Sequence, residues 1–481
     1  MPAPPPPPPA SPPPPPGPLG DPSTPTSAIQ GVFSNPLTHL GAWLGVLTMV
    51  SSLVLLGLLG TQAPPAEDSD ATRSLDVQFV LSGKVIIGAR DLGAPAELLV
   101  PQINALQPQR LEERLAVIII ESRVVGPEAA VLALERLEAE EVGESPEPTL
   151  LDEVSRLVFD LASSRRASPP SEEQCARLER ALPFLGPYLI ASATEDRAEL
   201  DRLDGTAVRS LLVLIGFAGW YAGAFLCGLL ALVVVVVKSC SGRLTHSLRP
   251  ERGRGSVYLE TFGLWMLVFF GLSVVLGQLA IVGSLLSFFG SLVVLAWPRV
   301  RGIGFHVVWA DLGLRRANPL KELLLGVVVY TMAIPLLVVG LVLSLAIGGA
   351  LKLLFDYESA PSHPVTEMLG GSALELLMVY LVACVAAPVV EEIAFRGILY
   401  RYLRDVTGRM GFIASFGASA LFSSVVFAAI HPQGLVFIPV LSALAVAFCI
   451  GREWRGSLVS PMVAHALNNA VTITLGTMLL G

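Results

Sequence analysis

The chain has 481 residues, 53% of them hydrophobic and 15% charged, with mean hydropathy +0.65. Soluble domains average about 25% charged residues, so composition excludes a wholly water-soluble protein and places most of the chain in lipid. The net charge of −8 is divided: residues 61–205 carry 27 acids and 14 bases, net −13, and the rest carries 13 acids and 18 bases, net +5.

Residues 1–38 are proline-dominated, with runs at 4–9 and 12–16. Such a segment favours polyproline II and builds no core, so a solvated tail or spacer is expected, with a ligand for aromatic-grooved modules as the other reading. It holds no Lys or Arg and so lacks the basic n-region of a secretory signal. The apolar run 39–60 is long enough to cross a bilayer of ~30 Å and reads as a retained anchor; cleavage near Gln62-Ala63 is the alternative.

Residues 61–205 are expected to form an acidic, soluble insert of one α+β domain. The stretch from Val77 to Ile87 alternates enough to predict a β-hairpin turning at Ser82-Gly83. About 127–142, 150–163 and 171–181, the spacing turns helical. No catalytic motif falls in the insert, and the sequence names no partner for it. Of the five cysteines only Cys175 lies there, and no CxxC pair exists, so neither a disulfide framework nor a thiolate zinc site is indicated.

Eight further apolar segments follow, at about 208–237, 259–276, 280–297, 323–347, 373–390, 412–430, 435–450 and 457–479. The expected fold is therefore an all-α polytopic membrane protein of about nine transmembrane helices, with an accessory bundle over 206–300 and a final domain over 301–481. Base-rich loops at 238–254 and 299–321 face the cytoplasm by the positive-inside rule. That puts the insert on the opposite side and the N-terminal tail in the cytoplasm, in a multi-pass protein of the cell (inner) membrane.

Ionisable side chains within membrane segments are costly and default to functional hypotheses. Three clusters occur after residue 385. In the first, Glu392 and Arg396 stand at i and i+4 and can pair. Glu391, about 100° away around the helix, has no such local partner, and an unpaired carboxylate in apolar surroundings can act as a base. The alternative is that both acids mark a helix end. The second cluster is His431, after the apolar and small run 416–430 and before the helix-breaking Pro432. The third is His465 and Asn469, at i and i+4 inside an apolar helix.

The series Glu391-Glu392-x-x-x-Arg396, Phe427-x-x-x-His431 and His465-x-x-x-Asn469 resembles the CAAX-processing and bacteriocin-processing (CPBP, or ABI) intramembrane endopeptidases. Asp311-Leu312-Gly313-Leu314 is similar to the region upstream of those motifs. The resemblance spans roughly residues 310–478 and leaves out the insert and the tail. It implies a glutamic mechanism, in which Glu391 with His431 polarises a water, and His465 and Asn469 donate to the oxyanion. Glu392 and Arg396 would give structural support. The substrate would be a membrane-associated or lipidated protein or peptide, in contact with the bilayer. No cofactor and no nucleic acid are expected.

Two other readings stay open. Glu391, His431 and His465 could ligate zinc together with a water, or the chain could be a non-hydrolytic scaffold or immunity-type protein that keeps the pocket. One spacing is awkward. Counted at 1.5 Å per residue, His465 lies about 15 Å from the edge at Arg455, and Glu391 is similarly deep from Arg401. His431, nineteen residues after Phe412, would be carried toward the far side, so a tilted helix and a re-entrant elbow at Pro432–Pro439 are expected to bring it back; a Phe412 helix that starts outside the bilayer is the alternative.

Overall fold

Long apolar runs with their main-chain groups paired internally are the stable solution in lipid, and this chain adopts it. The computed structural model describes residues 36–61, 77–140, 149–241, 243, 248, 255–314, 318–355 and 372–480. The tail before residue 36 lies outside them.

The expected hairpin is a helix instead. Val77–Asp91 is a single α-helix, and the described part of the insert contains seven helices, from Val77–Asp91 to Leu185–Thr194, and no strand. Over its described residues the insert is therefore all-α. The buried positions Phe79, Val80, Gly83, Ile86 and Ile87 recur at helical spacing, which a short apolar run does not separate from alternation. Two glycines explain the packing. A Cβ on Gly88 would meet the Ala207 carbonyl oxygen at 2.5 Å, and one on Gly83 would meet Leu185 Cδ2 at 2.9 Å. Gly83 thus serves close approach and not a turn. Thr149 and Ser171 start the helices Leu150–Ala162 and Glu172–Ala181 with reciprocal capping boxes. The insert core continues through Leu203 and Ala207 onto Arg197–Cys240, one 44-residue helix that runs from the insert into the bundle.

Among the described residues, six helical runs are long and apolar enough to cross a membrane: Arg197–Cys240, Val257–Val300, Leu320–Leu354, Ala373–Met410, Phe412–Ala429 and Leu435–Arg455. The nine expected segments map onto these six runs and two further helices. The run Val257–Val300 contains both segments expected at 259–276 and 280–297: the chain folds back at Ala280, whose φ is +50°, so that Trp265 donates to Ser291 and Phe269 packs on Phe288. Val459–Leu480 is a helix of 22 residues, but His465, Asn468, Asn469, Thr472, Thr474 and Thr477 lower its hydropathy. Pro36–Thr61 is also a helix outside the six.

The bundle has two chemically distinct ends. At one, Arg301 pairs with Glu260, Arg455 with Glu322, Arg401 with Asp311 and Asp405, and Arg404 with Glu453. Tyr258 donates to Asp311 and Tyr400 to Glu453, while Arg452 donates to the Asp311 carbonyl. At the other end sits the insert, because Val459–Leu480 starts beside Arg455 and finishes against Lys84. The buried Lys84 ammonium donates to the Leu479 carbonyl at 2.9 Å, an acceptor that the last turn of a helix leaves unpaired. Burial, and next the nearby Arg209, push Lys84 below its usual range. The unfolded chain therefore holds this proton more tightly, so the group's contribution to stability rises as pH climbs toward 10.5. Hydrogen bonds to charged groups are worth about 1.5–3 kcal/mol. Lys84→Met is expected to raise amide exchange in the final turns of Val459–Leu480 by roughly tenfold or more. Unchanged exchange would show that the insert does not hold this helix end.

Candidate active site

The first carboxylates sit on a helix interrupted by two π-wound stretches. Ala373–Leu381 is α-helical, Val382–Ala386 is π-wound, Ala387–Glu392 is α, Ile393–Leu399 is π and Tyr400–Thr407 is α. Single π turns in α-helices are frequent at functional sites. Pro388 accounts for the first. In the π turn the Ala387 N–H donates to the Val382 carbonyl, and Pro388 has no N–H. The Ala383 carbonyl thereby loses the donor that either α or π winding would supply, and the Asn469 side-chain amide donates to it at 2.7 Å.

Glu392 and Arg396 pair as their spacing predicts, with Glu392 Oε1 and Arg396 Nη1 2.9 Å apart and both side chains fully buried. Arg396 also donates to the Ala445 carbonyl at 3.2 Å. Its guanidinium lies 4.7 Å from the Phe427 ring centre and 5.0 Å from that of Phe448. Glu392 has a second partner that the sequence does not reveal, His465 Nδ1, at 3.0 Å from the same Oε1. A carboxylate ionised against Arg396 can only accept, so Nδ1 carries a hydrogen and, in the neutral ring, His465 Nε2 carries the lone pair. His431 resolves the same way. Its Nδ1 is 2.5 Å from the Phe427 carbonyl, which also only accepts, so the lone pair is again on Nε2.

Both Nε2 atoms face one oxygen. His431 Nε2 and His465 Nε2 are each 3.9 Å from Glu391 Oε2, and that oxygen is buried with no protein donor among the described residues. Three acceptors thus converge. Two hydrogen bonds of about 2.8 Å span such a gap when they meet at about 90°, the reach of a single water with two hydrogens to give. Tetrahedral zinc at about 2.0–2.1 Å from N and O ligands would set them roughly 3.3–3.4 Å apart. The histidine nitrogens would have to close by roughly 0.5 Å to fit it. Glu391 and His431 side chains keep 13% and 21% of their exposure while that of Glu392 keeps none, so of the two acids Glu391 is the one that can meet water.

The register of one helical hairpin explains how His431 arrives. Thr407 is hydrogen-bonded to Ser415 at 2.7 Å and to Ser419 at 3.0 Å, which fixes where Phe412–Ala429 starts beside the preceding arm. Glu391 is sixteen residues before Thr407 and His431 sixteen after Ser415, about 24 Å along each arm. The two side chains thus return to the same level along the hairpin, 3.9 Å apart. The backbone turns at His431–Gly434 and comes back as Ile438–Arg455.

Of the six residues singled out from sequence, Glu391, His431 and His465 meet at one point, and Glu392 and Arg396 form a buried base beneath it. Asn469 faces the Ala383 carbonyl. The upstream Asp311–Leu314 stretch also reaches this helix: a Cβ on Gly397 would meet Leu312 Cδ2 at 2.7 Å. Sequence reasoning passed over Phe448, which stacks on His465 (below). It also passed over the Ala383 carbonyl, whose signal was a proline five residues on.

Residues 373–471 match a family model described as Rce1-like, type II CAAX prenyl endopeptidase. The match takes in all six of these residues and supports the CPBP resemblance. It stops short of the insert and of every helix before residue 373. Neither the curated proteins nor the solved structures give a match to this chain.

Proposed function

We propose that this protein, similar over residues 373–471 to type II CAAX prenyl endopeptidases, is an intramembrane endopeptidase that cleaves a membrane-associated or lipidated protein or peptide. The supporting observation is the convergence of the Glu391 carboxylate and two imidazole lone pairs, a set that orients a water and draws its protons away from the attacking oxygen. Glu391 acts as general base. As the water oxygen bonds to the scissile carbonyl carbon, one proton passes to Glu391 Oε2 and the carbonyl electrons move onto oxygen. Collapse of the tetrahedral intermediate breaks the C–N bond, and the proton leaves Glu391 for the departing amine. No cofactor enters these steps.

Oxyanion stabilisation is usually the largest single contribution to such a reaction. His465 Nδ1–H is spent on Glu392, so a histidine donates to the oxyanion only after its Nε2 takes up a proton. Asn469 gives one amide hydrogen to Ala383 and keeps a second. Its first duty is to hold the Val382–Ala386 turn against Val459–Leu480, and its second hydrogen is the one to offer the oxyanion.

The arrangement of the bundle favours a cytoplasmic N-terminal tail in the cell membrane. The basic end faces the cytoplasm by the positive-inside rule, and the acidic insert faces the other side.

The test is cleavage of a prenylated peptide ending in a CAAX box by the purified full chain in lipid nanodiscs, before and after exhaustive chelation. Loss of the C-terminal tail from the peptide, retained after chelation, is the expected result. Activity abolished by chelation and restored by zinc would replace the water-only centre with a metal one. No cleavage of this peptide, together with no Glu391-dependent change in the membrane proteome, would leave the scaffold reading standing.

A further inference from the structure

Glu392 Oε1 accepts from two donors, Arg396 Nη1 at 2.9 Å and His465 Nδ1 at 3.0 Å. One hydrogen bond at Nδ1 restrains the imidazole only within the breadth of hydrogen-bond distances and angles, and the terminal torsion of histidine is broad and roughly two-fold. The direction of Nε2, on which the approach to Glu391 depends, therefore needs a second constraint. Phe448, on Ile438–Arg455, supplies it. This ring is fully buried and lies flat against His465, with centroids 5.1 Å apart and planes within 22°. The Arg396 guanidinium is 5.0 Å from the centre of the same ring. Phe448 thus touches both donors to Glu392 Oε1. Phe427 has the matching role on the other branch, 4.3 Å from His431 and 4.7 Å from Arg396.

We infer that Phe448 is a positioning residue: its ring face fixes the imidazole plane of His465, so that Nδ1–H stays on Glu392 and Nε2 stays aimed at Glu391 Oε2. The inference rests on reading Glu391, His431 and His465 as the hydrolytic centre. Aromatic pairs contribute about 0.5–1.5 kcal/mol beyond their buried area, and the contact to Arg396 adds a cation–π attraction. An aliphatic side chain fills most of the space but offers no flat face. A misplacement of about 1 Å in a catalytic group can cost about a hundredfold in rate, so a loosened ring would be felt in turnover more than in binding.

The experiment uses the full chain in nanodiscs with nitrogen-15 in its histidines, the His465 signals being assigned by difference from His465→Gln. Wild-type protein is expected to show His465 in a single Nδ1–H tautomer. Phe448→Leu is expected to show a mixture of tautomers, with kcat on the prenylated CAAX peptide down about tenfold to a hundredfold and KM within about twofold. Phe448→Met, unbranched and adaptable, gives the same reading if the Leu variant folds poorly. A folded variant that keeps His465 wholly in the Nδ1–H tautomer overturns the inference, as does a mixed tautomer with wild-type kcat. If the wild-type chain cleaves no peptide, the peptidase reading fails by itself and the tautomer alone decides the role of Phe448.

Discussion

Glu391→Gln is expected to lower cleavage of a prenylated CAAX peptide by about 10²–10⁴-fold, the usual contribution of a general base, while the protein folds and binds substrate as before. Gln keeps the shape of Glu and removes its capacity to take a proton. The substitution also exchanges an acceptor for a donor. Glu391 Oε2 now faces two imidazole Nε2 atoms at 3.9 Å, an all-acceptor arrangement that needs donors to complete it, and an amide N–H supplies one. Stability should therefore hold or rise, so lost activity would not mean lost fold. In cells, the membrane proteome with Glu391→Gln should accumulate uncleaved forms of the natural substrate. Turnover within a few-fold of wild type in the purified variant would remove Glu391 from the chemistry. A fall in thermal stability would show that the carboxylate is structural.

The candidate site was legible where chemistry stood out against apolar sequence. Glu391, His431 and His465 are ionisable groups in long apolar stretches, and the pairing of Glu392 with Arg396 follows from i, i+4 spacing alone. What was not legible came from long-range packing. The bond from His465 to Glu392 joins residues 73 positions apart, and it changes His465 from a presumed hydrogen-bond donor into an acceptor facing Glu391. Phe448 is one apolar residue in an apolar run, with nothing local to mark it. The meeting of His431 with Glu391 likewise depends on a contact across a turn, the Thr407–Ser415 hydrogen bond that sets the register of the hairpin. In the insert, the stretch from Val77 to Ile87 fits both a strand and a helix, and Gly88 against the Ala207 backbone decides for the helix. The membrane helices showed themselves through hydropathy, except that Val459–Leu480 carries the polar residues of the site and so scores low.

Arg396→Met is expected to destabilise the protein by about 3–5 kcal/mol, the cost of removing one partner of a buried ion pair. Glu392 is fully buried, and with Arg396 gone its Oε1 keeps only the His465 contact. The cheapest response is protonation of Glu392, because a neutral acid is far less costly to bury than a lone carboxylate. A protonated Glu392 can donate to His465 Nδ1, which moves the histidine hydrogen to Nε2 and replaces the lone pair facing Glu391 with an N–H. Stability and activity should therefore fall together in the single variant and separate in the double one. Glu392→Gln with Arg396→Met removes both charges, so thermal denaturation of the full chain in detergent should return most of the way to wild type. Cleavage should not return, because the Gln side chain no longer enforces the Nδ1–H tautomer. Arg396→Lys should fall between these limits. It keeps the charge but loses the planar fork that reaches both Glu392 and the Ala445 carbonyl while lying between two aromatic rings. Wild-type stability in Arg396→Met would mean that the ion pair is not what holds this helix, and full activity in the double variant would mean that the tautomer of His465 does not govern the reaction.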